Sequence, residues 1–217
     1  MRRPQKTSIA LKQDILAVAE RLFKEHGYDG TTLQMIADEL NIVQGSITYH
    51  FQNKYRLVHD IIEGYRVQLH QFIRDNLEDG YNCYFYHCLQ YIYSLREIMK
   101  RRRNWELYYH KDVVGPWAEE KQHLVEEMYR RIMKDFHKSF TEEELHMTAI
   151  MSLGALTRLA QELIGKGEPI DIHQFAYYHM YLIGLLAKLD ETTIQNNICD
   201  AFAFADSHPA PTIYMLE

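Results

Sequence analysis

The sequence predicts an all-α protein in which a small helix-turn-helix module precedes a larger helical body. Three observations carry that prediction. Apolar residues recur at helical spacing through nearly every segment, and no stretch alternates as a strand would. Glycine, proline and polar breaks divide the pattern into about nine or ten helices. Between Gly30 and Val58, two short helical segments meet at a tight polar break and a longer helix follows. The 217 residues are 47% hydrophobic, enough to bury a core in one domain or in a small domain beside a larger one.

Ile15, Ala19, Leu22 and Phe23 stripe a first helix from about Thr7 to His26, closed by Gly27, and Gly27-Tyr28-Asp29-Gly30 forms a turn. Thr31 opens a T-x-x-Q capping box with Gln34, with Thr32 as the alternative cap. Leu33, Ile36, Ala37 and Leu40 face inward on the second helix, and Asn41 suits the sharp turn because Asn tolerates the left-handed conformation. A third helix runs from about Val43 to Phe51 and breaks at Gln52-Asn53. It carries small and hydrogen-bonding side chains beside the apolar Ile47 and Phe51, as a helix needs if one face enters a DNA groove while the other holds a core. Leu57, Ile61, Tyr65, Leu69, Phe72 and Leu77 stripe a fourth helix, about Lys54 to Leu77, ended by Asp79-Gly80. No flexible linker is visible, so the boundary between the module, 1–58, and the body, 59–217, falls within this helix.

The body begins with a helix over 81–103 whose upper half is apolar or aromatic nearly all round, which requires burial on several sides. Trp105 to His110 is a short helix or turn, and Gly115-Pro116 punctuates the chain. Val125, Met128, Tyr129, Ile132 and Phe136 stripe the next helix. Thr141 followed by three glutamates opens a helix over 142–165, since a capping hydroxyl and acidic side chains suit a helix N-terminus. Asp171 caps a helix over 172–189, a weaker one covers 191–205, and the tail after Ser207 is irregular.

Net charge is −6, yet it is unevenly spread: residues 1–60 hold 8 Lys+Arg and 7 Asp+Glu, the remainder 16 and 23. An N-terminal end that meets phosphate and an acidic body that does not would give this asymmetry. Cys83, Cys88 and Cys199 show no C-x-x-C spacing, which argues against a disulfide framework or zinc finger and for a reducing, cytoplasmic setting. No apolar run reaches the ~18 residues of a membrane span, and no apolar segment follows the basic N-terminus as in a secretory signal. There is no G-x-S-x-G, Gly-rich phosphate loop, H-E-x-x-H or dinucleotide fingerprint, so neither an enzyme nor a cofactor is expected. The histidines form no H-x-x-x-H pair, and no metal site is expected.

The pattern G-Y-x-x-T-T-x-x-x-I-A-x-x-x-x-(I/V)-x-x-G-x-(I/L)-x-x-H-F-x-x-K, Gly27 to Lys54, resembles the DNA-binding signature of the TetR/AcrR family of bacterial transcriptional regulators. The resemblance is specific over residues 9–62; beyond them only the helical pattern and the length agree. It implies an N-terminal three-helix DNA-binding domain and a C-terminal helical domain that binds an effector and dimerises. By the same resemblance, Gln44 to His50 forms the recognition helix, Ser46 included, and Thr31 or Thr32 meets phosphate. Gly45 lets the backbone approach DNA, Tyr49 and His50 fall at phosphate-contacting positions, and Lys54 attracts a phosphate at the start of the fourth helix. Ile47 and Phe51 match core positions.

Three departures from the family pattern stand out. Val43 replaces a capping serine, Gln44 a common lysine and Thr48 a common tyrosine. Gln bonds an adenine edge in two places and Thr meets a thymine methyl, so Gln44 and Thr48 are expected to read bases in an A·T-containing half-site. Arg2, Arg3 and Lys6 form either an arm along the DNA or a solvated terminus.

In the body, Tyr84, His87, Cys88 and Tyr91 share a face with Leu95, and Trp105, Tyr108, Tyr109 and Trp117 follow in the segment that corresponds to the family's ligand pocket. Aromatic walls with polar tips suit a flat or lipophilic ligand; plain aromatic core is the alternative. The expected homodimer face pairs Met151, Gly154, Ala155 and Leu159, with Leu145 and Leu163, against Tyr178, Leu182, Ile183 and Leu186, with Phe175. Small residues, Gly184 among them, allow close helix approach. Lys100-Arg101-Arg102-Arg103 is either an anion site or a solvated helix end.

The functional expectation is a ligand-responsive regulator, a repressor released from a palindromic operator by a small-molecule inducer. The alternative is a DNA-bound co-regulator or activator controlled by a protein partner, docked on a tail containing Ile213, Tyr214, Met215 and Leu216.

Overall fold

The computed structural model describes residues 8–78, 80–166, 171–210 and 215–216, with the side chains of residues 118, 160 and 163–166 outside that description. Among the described residues the elements are helices only: α1 (Ser8–Gly30), α2 (Leu33–Leu40), α3 (Gln44–Phe51), α4 (Lys54–Asn76), α5 (Cys83–Lys100), α6 (Arg102–Tyr108), α7 (Lys111–Asp135), α8 (Glu142–Lys166), α9 (Ile172–Leu186) and α10 (Glu191–Ser207). None is long and apolar enough to cross a membrane.

The first four helices close around one another because their apolar stripes converge. Ile15, Ala19 and Phe23 of α1, Ile36 and Ala37 of α2, Ile47 of α3 and Leu57 and Val58 of α4 are all fully buried. Each of the larger side chains, the two alanines apart, contributes about 1.5–3 kcal/mol relative to exposure. Gly27, at φ 74, takes the chain out of the α1 helix, and Tyr28 turns back into the core. In the body α5 is central, packed against α4, α7, α9 and α10. Its buried Tyr84 hydroxyl donates to the Met180 carbonyl at 2.7 Å.

Three sequence expectations change. The predicted 81–103 helix stops at Lys100, because Arg101 adopts an extended conformation (φ −138, ψ 137) and a separate α6 begins. The buried Asn104 amide fills the break, donating to the Glu97 carbonyl at 3.1 Å. Pro116 does not interrupt the chain: α7 runs continuously through it, and packing against α8, α4 and α5 outweighs the lost hydrogen bond. Of the tail expected to serve as a docking strand, Met215 and Leu216 are buried in the core. The Met215 N–H donates to Glu97 Oε1, and Arg101 donates to the Leu216 carbonyl. Ile213 and Tyr214 lie outside the described residues.

Candidate nucleic-acid interface and the cavity behind it

The two threonines that open α2 have different roles. Thr31 is fully buried, and its hydroxyl lies 3.0 Å from the Leu22 carbonyl and 2.8 Å from that of Gly27. It fastens the end of α1 and is removed from the set of expected phosphate contacts. Thr32 is the exposed N-cap, accepting from the Met35 N–H at 3.2 Å, and Gln34 bonds Asp38 instead of closing a capping box. Asn41 makes the turn into α3 at φ 53, and the Ile42 N–H returns to the Ala37 carbonyl.

α3 presents Gln44, Gly45, Thr48 and Tyr49 to solvent, with Tyr49 83% exposed, while Ser46 and His50 are half-buried. A Cβ added at Gly45 would meet nothing within 4 Å, so the surface over this backbone is open. Val43 precedes the helix with no side-chain cap, as its apolar side chain dictates, and is 73% exposed. The Thr48 hydroxyl bonds back to the Gln44 carbonyl at 3.2 Å. Ile47 and Phe51 point into the core.

Lys54 is less available than expected. Its ammonium donates to the carbonyls of Tyr28 (2.7 Å) and Thr31 (3.1 Å) and sits 4.0 Å from the centre of the Tyr28 ring. Two of its three donors are thus spent inside the module. Other cations here are engaged as well: Lys12 with Asp60, Arg21 with Glu25 and Glu39, and Arg56 with Glu120. Arg2, Arg3 and Lys6 lie outside the described residues.

Behind this module a cavity of about 240 Å³ opens between α4, α5, α6, α7 and α8. Of the aromatic and polar residues grouped from the sequence, His87, Tyr91, Tyr108, Tyr109 and Trp117 lie on its wall. Tyr84, Cys88 and Trp105 do not: Tyr84 is committed to Met180, Cys88 is fully buried, and Trp105 packs edge-on against Tyr109 and Phe175. Arg66, Gln90, Ser94, Lys121, Met128 and Leu156 also line it. Lys121 stands one helical turn beyond Trp117, a spacing that could have identified it. Three buried polar atoms on the wall, His87 Nε2, the Tyr91 hydroxyl and Trp117 Nε1, have no hydrogen-bond partner among the described residues. Buried groups of this kind ordinarily find one. Burial holds the His87 imidazole neutral, with its pKa pushed down to about 4. Burial would raise Glu63, but the bond from Lys121 and the charge of Arg66 outweigh it and hold the carboxyl below its usual range.

Two sets of contacts tie this cavity to the module. Glu120 of α7, between the cavity-lining Trp117 and Lys121, accepts from the Tyr55 hydroxyl at 3.0 Å and pairs with Arg56 at 2.8 Å. On the other side the His110 ring packs at a tilt against Tyr28 with centroids 4.3 Å apart, and its Nε2 lies 3.3 Å from Asp29.

The expected dimer face divides. Met151 and Tyr178 are exposed, with Gly154 and Ala155 beside Met147 and Ile150 on α8 and Leu185 on α9. Leu159, Leu182 and Leu186 are half-buried. Ile183 is withdrawn from that face because it lies in the protomer core, as do Leu145, Phe175 and Gly184. The Leu163 side chain is outside the description. Lys100, Arg101, Arg102 and Arg103 bond to Glu97, the Leu216 carbonyl and Glu106, so they form a helix junction and not an open anion site. Among the described residues no three His, Cys, Asp or Glu side chains are placed to hold a metal ion.

Residues 15–61 match the family model described as bacterial regulatory proteins, tetR family. Over 72 residues the chain is 36% identical to the biofilm operon icaADBC HTH-type negative transcriptional regulator IcaR of Staphylococcus epidermidis, a match covering 33% of this chain and 39% of that protein. The similarity therefore spans well under half of that relative's length. Among solved structures, RolR without ligand superposes with a TM-score of 0.60 at 14% identity, covering 93% of this chain and 99% of that one. The SmeT–triclosan complex gives 0.53 at 19% identity, with 81% and 90% covered. At such identities the likeness is one of fold.

Proposed function

We propose that this chain, whose N-terminal domain belongs to the tetR family of bacterial regulatory proteins, is a cytoplasmic homodimeric repressor that a small molecule releases from a palindromic operator. The module of residues 1–58 binds DNA, and residues 59–217 bind the effector and dimerise. The observation that carries this reading is the pairing of an exposed, hydrogen-bonding α3 surface with a cavity whose wall helix, α7, also grips the DNA module through Glu120.

Gln44 and Thr48 read bases. The Thr48 hydroxyl is already bonded to the Gln44 carbonyl, which leaves its methyl for a thymine. Thr32, Tyr49 and His50 position the helix on phosphates, with Gly45 allowing close approach and Ser46 at its flank. Two such modules are needed for specific affinity, and the exposed Met147, Ile150, Met151, Tyr178 and Leu185 supply an apolar face for the second copy. An effector seated against Trp117 and Lys121 displaces α7, and Glu120 passes that movement to Tyr55 and Arg56 at the start of α4. The spacing of the two α3 helices then departs from the ~34 Å of one DNA turn.

Selection from random DNA, run in parallel with Gln44→Ala, tests the reading. We expect a palindrome with A·T pairs for the native chain and loss of that preference in the variant. An unchanged preferred sequence would remove Gln44 from the base-reading set. Sedimentation as a monomer at micromolar concentration would reject the dimer.

A further inference from the structure

The chemistry of the cavity wall narrows the class of effector, an inference that rests on the cavity being the effector site. The two charged residues on its wall, Arg66 and Lys121, are both cations. A single carboxylate, Glu63, serves them both, 2.9 Å from Arg66 and 2.7 Å from Lys121. One positive charge is left over at this edge, and the Lys121 side chain is only 12% exposed, so water screens it poorly. Glu120, the nearest acid on α7, is occupied by Tyr55 and Arg56 and is not on the wall. Trp117 Nε1, one turn from Lys121, can only donate, and it is buried without an acceptor. On the α5 part of the wall, His87 Nε2 and the Tyr91 hydroxyl are also buried without partners among the described residues. About 240 Å³ is larger than the ~150 Å³ that accommodates benzene, and suits one or two rings.

We infer that the effector is a small aromatic carboxylate, its acid group held by Arg66, Lys121 and Trp117 Nε1 and its ring in reach of His87 and Tyr91. The neutral His87 offers a hydrogen bond there and adds no second cationic pole. A cationic lipophile is disfavoured, because it would be desolvated against two cations with one carboxylate between them.

The experiment compares 2-naphthoate, 2-naphthamide, 2-naphthol and 2-naphthylmethylamine on the full chain, by thermal shift, tryptophan fluorescence and release of the selected operator. We expect naphthoate to bind at least ~10-fold more tightly than the amide or the naphthol, and the amine not to bind. Lys121→Met should cost naphthoate about 10-fold and leave the amide unaffected; Arg66→Met gives the same reading if the first variant does not fold. Equal binding of acid and amide, or a Lys121→Met variant that holds naphthoate as well as the native chain, overturns the anion assignment while the pocket reading stands. Binding by none of the four also overturns it. Leu156→Trp, which fills the cavity without a ligand, then decides the pocket reading, which falls too if operator affinity is unchanged.

Discussion

Replacing Lys54 by methionine separates two roles that the sequence cannot distinguish. Methionine keeps the stem and removes the ammonium, which donates to the carbonyls of Tyr28 and Thr31 and lies over the Tyr28 ring. A charged hydrogen bond contributes about 1.5–3 kcal/mol and a cation–π contact about 0.5–2 kcal/mol. These share one group and are half-exposed, so the total is not additive. A loss of about 2–4 kcal/mol is the reasonable expectation. For a chain of this size that lowers the melting temperature by roughly 5–15 °C. The assay is thermal and urea unfolding of Lys54→Met beside operator binding measured at several salt concentrations. If the melting temperature moves by less than about 1 °C while the log–log salt dependence of binding flattens by about 0.9 per protomer, Lys54 is a phosphate contact and its structural role is refuted.

The buried His87 predicts a pH dependence. Its pKa is about 4 in the folded chain against about 6.5 unfolded, so between these values the unfolded state binds the extra proton and stability falls as pH drops. From pH 7 to 5 the native chain should lose about 2 kcal/mol more than His87→Phe, measured by urea unfolding; equal losses would contradict a neutral, desolvated imidazole. At Gly184 a Cβ would lie 2.6 Å from Ile194 Cγ1 and 2.8 Å from the Tyr84 hydroxyl. Gly184→Ala should therefore cost about 1–3 kcal/mol, and a neutral result in urea would mean that α9 and α10 can part at little expense.

Most of the helical order was legible because burial here follows simple stripes. Ile15, Ala19 and Phe23 repeat at helical spacing on α1 and are all fully buried, as are Ile36 on α2 and Ile47 on α3. What escaped the reading depended on partners distant in sequence. Thr31 and Thr32 are equivalent as neighbours in the chain, and only the approach of the Leu22 carbonyl shows which is internal. The break at Arg101 depends on Glu97, Asn104 and the returning tail at Met215. Aromatic residues between Tyr84 and Trp117 could be assigned to the body but not sorted into core and cavity wall, since periodicity places a side chain on a face without saying what covers it. Arg66 and Lys121 were missed because charged residues on amphipathic helices ordinarily face water.

α3 carries no lysine or arginine, and Lys12, Arg21, Lys54 and Arg56 are each engaged within the protein. Attraction to arbitrary DNA is chiefly an exchange of phosphate counterions for protein cations. On the function proposed above, α3 itself adds no lysine or arginine to that exchange, which falls to cations elsewhere in the chain. What α3 would contribute is hydrogen bonds and methyl contacts, which a wrong base pair withdraws. The proposed reading helix would thus add discrimination between sites, and the charges outside it the attraction common to all of them.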